Sequence, residues 1–202
     1  MSTVFHSSPA TAALANVGRW ACVAIALASG PAAAAGEFSV GAGGGASHGR
    51  VDCVSSFQCD RSSGFGKVFV GYRAYDAVDV QAVYFGGGNF RGGDTTPLGT
   101  PFGGTFKVDG IGLTAGASWT FASAWSVAAR AGIADMHARF DDQNPAFPNS
   151  SRNTVQPLLG VGIAYALSPQ VRIGVDYDVT RFKAYMSRGP LQMLSVAVQF
   201  SF

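Results

Sequence analysis

The sequence predicts an all-β fold: an eight-stranded antiparallel up-and-down transmembrane β-barrel, preceded by a cleaved signal peptide. Three observations carry this. The final residues place large apolar side chains at Val196, Val198, Phe200 and Phe202, with small or polar ones at Ser195, Ala197, Gln199 and Ser201. That is the period of two of a strand with one greasy face. No stretch of residues 36–202 is continuously apolar over the ~18 residues a spanning helix requires. A membrane admits only helices or closed barrels, because every backbone polar group must be satisfied internally. Finally, the connections between extended segments alternate between short and long, as in an up-and-down barrel that crosses a membrane.

The front of the chain agrees with export. Residues 1–19 hold no acid and end on Arg19; Trp20–Ser29 is an apolar run, broken by Gly30 and Pro31. Ala33, Ala34 and Ala35 offer small residues before Gly36. This order is that of a secretory signal peptide with cleavage between Ala35 and Gly36, and the run is too short for a spanning helix of about 20 residues. The expected organisation is a signal peptide over 1–35 and one barrel domain over 36–202.

Composition narrows the function classes. Lys and Arg number 14 against 12 Asp and Glu, so no basic excess points to nucleic acid. Charged residues are only 13% of the chain, about half the usual share. Glycine, at 27 residues, is abundant. Low charge and high glycine suit strands with half their side chains in lipid. A soluble ligand-binding barrel is the alternative, but it would turn its apolar face inward and its charges outward.

The elements follow in order. The first strand is expected over about Glu37–Ser47 and is glycine-heavy. The second, Gly66–Tyr75, sets Val68, Val70 and Tyr72 against Lys67, Phe69, Gly71 and Arg73. After the turn at Asp76 and Ala77, the third runs Val78–Phe85 with Val78, Val80, Ala82 and Tyr84 outward. The fourth, about Lys107–Phe121, alternates most clearly, with Ile111, Leu113, Ala115, Ala117, Trp119 and Phe121 on one face. The fifth is Trp125–Arg139, the sixth about Thr154–Leu167, the seventh Val171–Phe182, and the eighth is the tail. Long loops are expected at 48–65, 86–106, 140–153 and 183–190. The short-turn end collects aromatics in a girdle such as barrels place at a membrane interface.

Two cysteines follow the signal peptide, Cys53 and Cys59, within the first long loop. An exported protein meets an oxidising compartment, so a local disulfide that pins this loop is the expected fate. A metal site would need more ligands than His48 can add.

The pattern over 36–202 resembles the OmpA-type outer-membrane barrel family. The run Lys67–Arg73 resembles the family's second strand, and Val80–Tyr84 its third, where a Glu is more usual than Gln81. Gly160–Tyr165, followed by Ala166, Leu167, Ser168 and Pro169, resembles the sixth strand and its turn. The terminal Phe202, with Phe200, resembles the signal read by the outer-membrane assembly machinery. The resemblance implies an outer-membrane location in a Gram-negative bacterium with both termini periplasmic. The peptidoglycan-binding domain of longer members is not expected here.

A barrel of eight strands is just wide enough for side chains to fill. Lys67, Arg73, Asp79, Arg130, Arg172, Asp176 and Asp178 fall on the inward face of this register. Charges in a narrow lumen must pair or stay hydrated. They are expected to form an internal ion-pair network that holds the barrel shut; the alternative is a low-conductance path in which pairs swap partners. A second alternative is an enzyme that modifies lipid A. Its only candidate groups are His137, Ser150 or Ser151, and Asp141 or Asp142, with no nucleophile on a rigid element. Asp141 and Asp142 are also too few oxygens for calcium. Phe57, Phe90, Phe102 and Phe147 are expected in the long loops, where binding to a host molecule, a phage or lipopolysaccharide would reside. The expectation is therefore a monomeric, non-enzymatic outer-membrane protein with no cofactor, a structural or surface-interaction role, and outer-membrane lipid, lipopolysaccharide and the assembly machinery as partners.

Overall fold

The computed structural model describes residues 37–50, 60–75, 77–95, 101–142, 150–184 and 187–202. Eight strands run in chain order: β1 (Glu37–Gly49), β2 (Ser62–Tyr75), β3 (Val78–Thr95), β4 (Pro101–Ala122), β5 (Trp125–Asp142), β6 (Ser150–Ala166), β7 (Val171–Ala184) and β8 (Ser187–Ser201). Each pairs antiparallel with its sequence neighbours, and β1 closes the barrel against β8 from Ser39↔Ser201 to Gly49↔Leu191. Beyond the last rung, Phe38 and Phe202 exchange both backbone bonds, at 3.1 and 2.9 Å. The candidate signal peptide, Ala35 and Gly36 included, lies outside the described residues.

The short connections share one end of the barrel with the termini; this is the turn end, and the opposite is the loop end. The β6–β7 turn is built by its sequence. Pro169 presets one backbone angle, and Ser168 Oγ accepts from the amides of Gln170 and Val171 at 3.3 and 3.1 Å.

At the loop end the strands run further than their composition suggests. Residues 86–106 are mostly ladder, not loop: β3 continues to Thr95 and β4 begins at Pro101, with Gly92↔Gly104 and Gly93↔Gly103 paired across a shift between Phe85 and Gly88. Likewise β5 reaches Asp142 and β6 starts at Ser150. Glycine reads as loop in a sequence, yet ladder bonds join backbones and need no side chain. Phe90 is therefore no surface-loop aromatic. It stands on β3 and is wholly buried inside the barrel. Phe102 lies on β4 opposite Asp94, while Phe57 and Phe147 lie outside the described residues.

The outer surface carries a continuous apolar band. Ile111, Leu113, Trp119, Phe121, Leu159, Val161, Val196 and Phe200 all point outward and are more than half exposed, which only a hydrocarbon surround makes favourable. The band's rim at the turn end is aromatic: Phe38 packs on Tyr72 with ring centroids 4.8 Å apart, and Trp125 meets Tyr165 edge-on at 5.0 Å.

Along β4 and β5 the polarity of the two faces then exchanges without a break in register. On β5 the outward residues pass from Val127, Ala131 and Ile133 to Asp135, His137, Arg139 and Asp141, while the inward ones become Ala134, Met136, Ala138 and Phe140, all buried. On β4, Ile111 and Leu113 face out opposite inward Gly110 and Gly112. One turn of the pleat nearer the loop end, Lys107 and Asp109 face out and Phe106 and Val108 are buried within. The strands leave the apolar surround here and enter water.

Candidate functional site: the closed lumen

The interior is filled in three tiers. The turn-end tier is a polar cavity of about 100 Å³, lined by Ser39, Arg73, Asp79, Gln81, Arg172 and Gln199 among others. A cavity needs only about 10–15 Å³ to admit a water, provided polar partners are present. The Oγ of Ser201 and the Nε of Arg73 border this space without a protein partner, and water would satisfy them.

The middle tier is a four-membered charge cluster. Lys67 Nζ on β2 donates to Asp176 Oδ2 at 2.7 Å and to Asp178 Oδ2 at 3.1 Å. From β5, Arg130 Nη1 reaches Asp176 Oδ1 at 3.2 Å and Nη2 reaches Asp178 Oδ1 at 2.8 Å. Each cation bridges both carboxylates and each carboxylate joins both cations, so two positive and two negative charges cancel across the lumen. The alternation of β7 makes this geometry: Asp176 and Asp178 are two residues apart and share the inward face. Lys67 and Asp178 are buried. Water is then too scarce to compensate a missing partner, and charges so placed hold only when fully paired and hydrogen-bonded.

Glycine makes room for this cluster. Arg130 must pass over β6 to meet β7, and the inward residues of β6 there are Gly160 and Gly162. A Cβ at Gly160 would overlap Asp178 Oδ1 and sit 2.6 Å from Arg130 Nε; one at Gly162 would overlap Asp176 Oδ1.

The loop-end tier is apolar. Phe65, Phe85, Phe90, Phe106, Phe140 and Phe182 pack with Met136, Leu158 and Met193 into one buried cluster. The Phe106 and Phe140 rings pack at a tilt, with centroids 4.6 Å apart. Between this plug and the charge cluster lies a void of about 10 Å³, too small for more than one water.

The seven inward charges named from the sequence all line the lumen, but they do not form a single network. Lys67, Arg130, Asp176 and Asp178 are joined. Arg73 instead pairs with Glu37 across β1 and β2, at 2.6 Å, a partner the sequence reading missed although Glu37 opens the first strand. Asp79 and Arg172 border the polar cavity and have no ion pair among the described residues. The apolar plug was also missed. Its signal, the exchange of faces at Asp109 and Asp135, lies within the expected fourth and fifth strands and was overlooked; Phe90, Phe106 and Phe140 fall where long loops are expected.

The loop-end candidates are dispersed. His137 points outward; its Nδ1 is hydrogen-bonded to Asn153 Oδ1, and its Nε2 accepts from Arg139 Nε at 2.8 Å. Asp141 is held by Lys107 at 2.9 Å. Ser150 and Ser151 pair in the ladder with Phe140 and Arg139, and the Asp142 side chain lies outside the described residues. With both nitrogens of His137 engaged, this set does not assemble a base beside a nucleophile. Among the described residues no group of three or more potential ligands converges as for a metal. Cys53 and Cys59 lie outside the described residues.

Among curated proteins no sequence matches this chain significantly. Solved structures do. Neisserial surface protein A is similar at a TM-score of 0.61 with 17% identity, over 82% of this chain and 97% of its own. The outer membrane protein OprG of Pseudomonas aeruginosa is similar at 0.55 and 12%, over 84% and 97%. Ail, the attachment invasion locus protein of Yersinia pestis, is similar at 0.54 and 17%, over 83% and 99%. These likenesses establish the fold. The family model for the outer membrane protein beta-barrel domain matches residues 20–202, and with the lipid-facing band and closed eight-stranded topology this places the chain in that family, as an integral outer-membrane barrel.

Proposed function

We propose that this barrel is a closed, non-conducting scaffold that displays its loop end outside the cell, with both termini in the periplasm. The observation that carries this reading is the tiered lumen. The polar cavity at the turn end stops at the charge cluster, and beyond the cluster the interior is dominated by buried apolar side chains, with Ser47, Gln156 and Thr180 enclosed among them. An ion that entered from the turn end would have to break apart a pair of doubly bridged cation–carboxylate sets and then cross a phenylalanine plug. Neither step is favourable in a low-dielectric interior. Porin-like conduction has no comparable support, and lipid A modification has no catalytic constellation among the described residues.

Orientation follows from the connections: outer-membrane barrels keep short turns in the periplasm and long connections at the surface. The polar outer wall formed by Lys107, Asp109, Asp135, His137 and Arg139 suits water beyond the bilayer. One structural neighbour is named for attachment and invasion and has been crystallised with a heparin analogue; surface binding by the loop end is the corresponding role proposed here. Residues 1–35 serve as the export signal, Cys53 and Cys59 pair after export, and the barrel works as a monomer.

The test joins two measurements. A small epitope inserted between Pro145 and Pro148 should be labelled on intact cells, and the purified barrel in a planar bilayer should show no channel steps. Labelling only after the outer membrane is permeabilised would reverse the orientation. Reproducible conductance of the intact barrel would remove the scaffold reading.

A further inference from the structure

The ladder between β6 and β7 is incomplete. β5 and β6 pair from Trp125↔Tyr165 to Phe140↔Ser150, and β7 and β8 from Val171↔Phe200 to Ala184↔Ser187. Between β6 and β7 the rungs end at Leu159↔Val179. Residues 150–158 and 180–184 therefore each present a strand edge without a backbone partner, and a seam runs up the wall from that rung to the loop end.

The sequence explains where the ladder stops. In the register of the last rungs, the next outward pair would be Pro157 with Arg181. The carbonyl of Pro157 faces β7, where it accepts from Thr180 Oγ1 at 2.9 Å. The same residue has no N–H to return, so the rung cannot close. Proline and an exposed charge on a strand edge are also what proteins use to refuse a second strand. The edge is open, yet built against pairing with another copy of this chain or with an extended peptide.

The seam begins where the outer surface changes character. Val155 and Leu159 flank it as exposed apolar residues. On β5 the outward face turns from Ile133 to Asp135 at the same rungs, opposite Pro157 and Val155. Unpaired backbone groups are costly in hydrocarbon, but here they stand at the headgroup boundary. Two cations stand on the outward face near the seam: Arg181 borders it, and Arg139 lies one strand back, opposite Ser151. Arg181 on β7 is exposed, and Arg139 on β5 is exposed with only His137 as its side-chain partner. Neither has an ion pair among the described residues.

We propose that this seam is a docking site for a phosphorylated glycolipid of the outer leaflet, the chemistry of lipopolysaccharide. The two arginines meet its phosphates, its sugar hydroxyls bond the free edge groups of Asn153, Val155 and Arg181, and an acyl chain lies along Val155, Pro157 and Leu159. Arginine suits phosphate because its planar fork makes paired charge-assisted bonds. A hydroxyl-rich headgroup supplies both donors and acceptors, which an unpaired edge needs. This inference rests on the loop end facing outward, since that leaflet holds the glycolipid.

The test is amide hydrogen exchange on the full barrel in three vesicle types: phosphatidylcholine alone, with phosphatidylglycerol added, and with lipopolysaccharide added. The amides of Asn153, Val155 and Arg181 should exchange at least about tenfold more slowly with lipopolysaccharide than in either other vesicle, while amides of β1 stay unchanged. The double variant Arg139→Ala, Arg181→Ala should lose this protection yet keep its heat-shifted gel band, which shows that it is folded. Equal exchange in all three vesicles would overturn the proposal. So would equal protection by phosphatidylglycerol, which would mean that charge alone is read, or protection that appears only with cross-linkable dimers. If labelling of intact cells places the loop end outside but exchange is unaffected by lipopolysaccharide, the site fails and the orientation stands.

Discussion

Arg130 and Asp178 meet across the whole width of a strand: Nη2 and Oδ1 are 2.8 Å apart, with β6 between them reduced to hydrogen at Gly160. The closing charge cluster thus depends on a residue that has no side chain. Gly160→Ala leaves every charge in place but puts a methyl group where Asp178 Oδ1 lies. Forcing an atom into a packed interior costs about 1–3 kcal/mol. The urea midpoint of the refolded barrel, read from its heat-shifted gel band, should fall accordingly; Gly66→Ala, on the outward face where a Cβ meets nothing nearer than 3.8 Å, serves as the control.

Removal of one carboxylate should cost more than its substitution suggests. Asp178→Asn leaves Lys67 and Arg130 to share Asp176, and an uncompensated buried charge costs about 3–5 kcal/mol. The second change Lys67→Met, which cancels the surplus charge, should recover most of that loss in the same urea titration. A double variant no more stable than Asp178→Asn would mean that the four groups do not act as a unit.

Conductance separates the two seals. Asp176→Asn weakens the charge cluster but leaves the phenylalanine plug, so single-channel recordings should stay silent. Steps should appear only when Asp176→Asn is combined with Phe90→Ala and Phe182→Ala, which hollow the plug. Current from Asp176→Asn alone would show that the apolar tier does not seal.

The plug should also contribute to stability. Phe182 is wholly buried, and truncation of a buried phenylalanine costs about 3–5 kcal/mol. Phe182→Ala should lower the urea midpoint by that order, whereas Phe121→Ala, half-exposed on the outer face, should lower it far less.

Much of the fold was legible because lipid enforces a strict alternation. Val196, Val198 and Phe200 face out in the structure at the positions their period assigns, as do Ile111 and Leu113. The inward set of charges was legible for the same reason: Asp176 and Asp178 lie on the face opposite Val175 and Tyr177. Partner choice was not legible, because it depends on how strands distant in sequence curve toward one another. Nothing local to Arg73 says that Glu37, rather than an aspartate, lies within reach. The plug escaped because glycine at 86–93 and 103–104 suggests turns, whereas paired backbones are indifferent to it. Pro157 carried a signal that was overlooked: proline inside an apparent strand points to an edge, and that edge is where the β6–β7 ladder ends.

The exchange of faces on β4 and β5 has a consequence for which bilayer the protein can occupy. From Phe121 to Ile111 the outward apolar residues of a tilted strand cover about 25 Å of height, and Asp109 and Asp135 follow immediately. These two aspartates act as a waterline. A thicker bilayer would drown them and expose no further apolar residue in return, so the chain is ballasted for a thin membrane. The bacterial outer membrane is thinner than average, and the same two carboxylates that fix the depth of immersion there would weigh against residence in a thicker one.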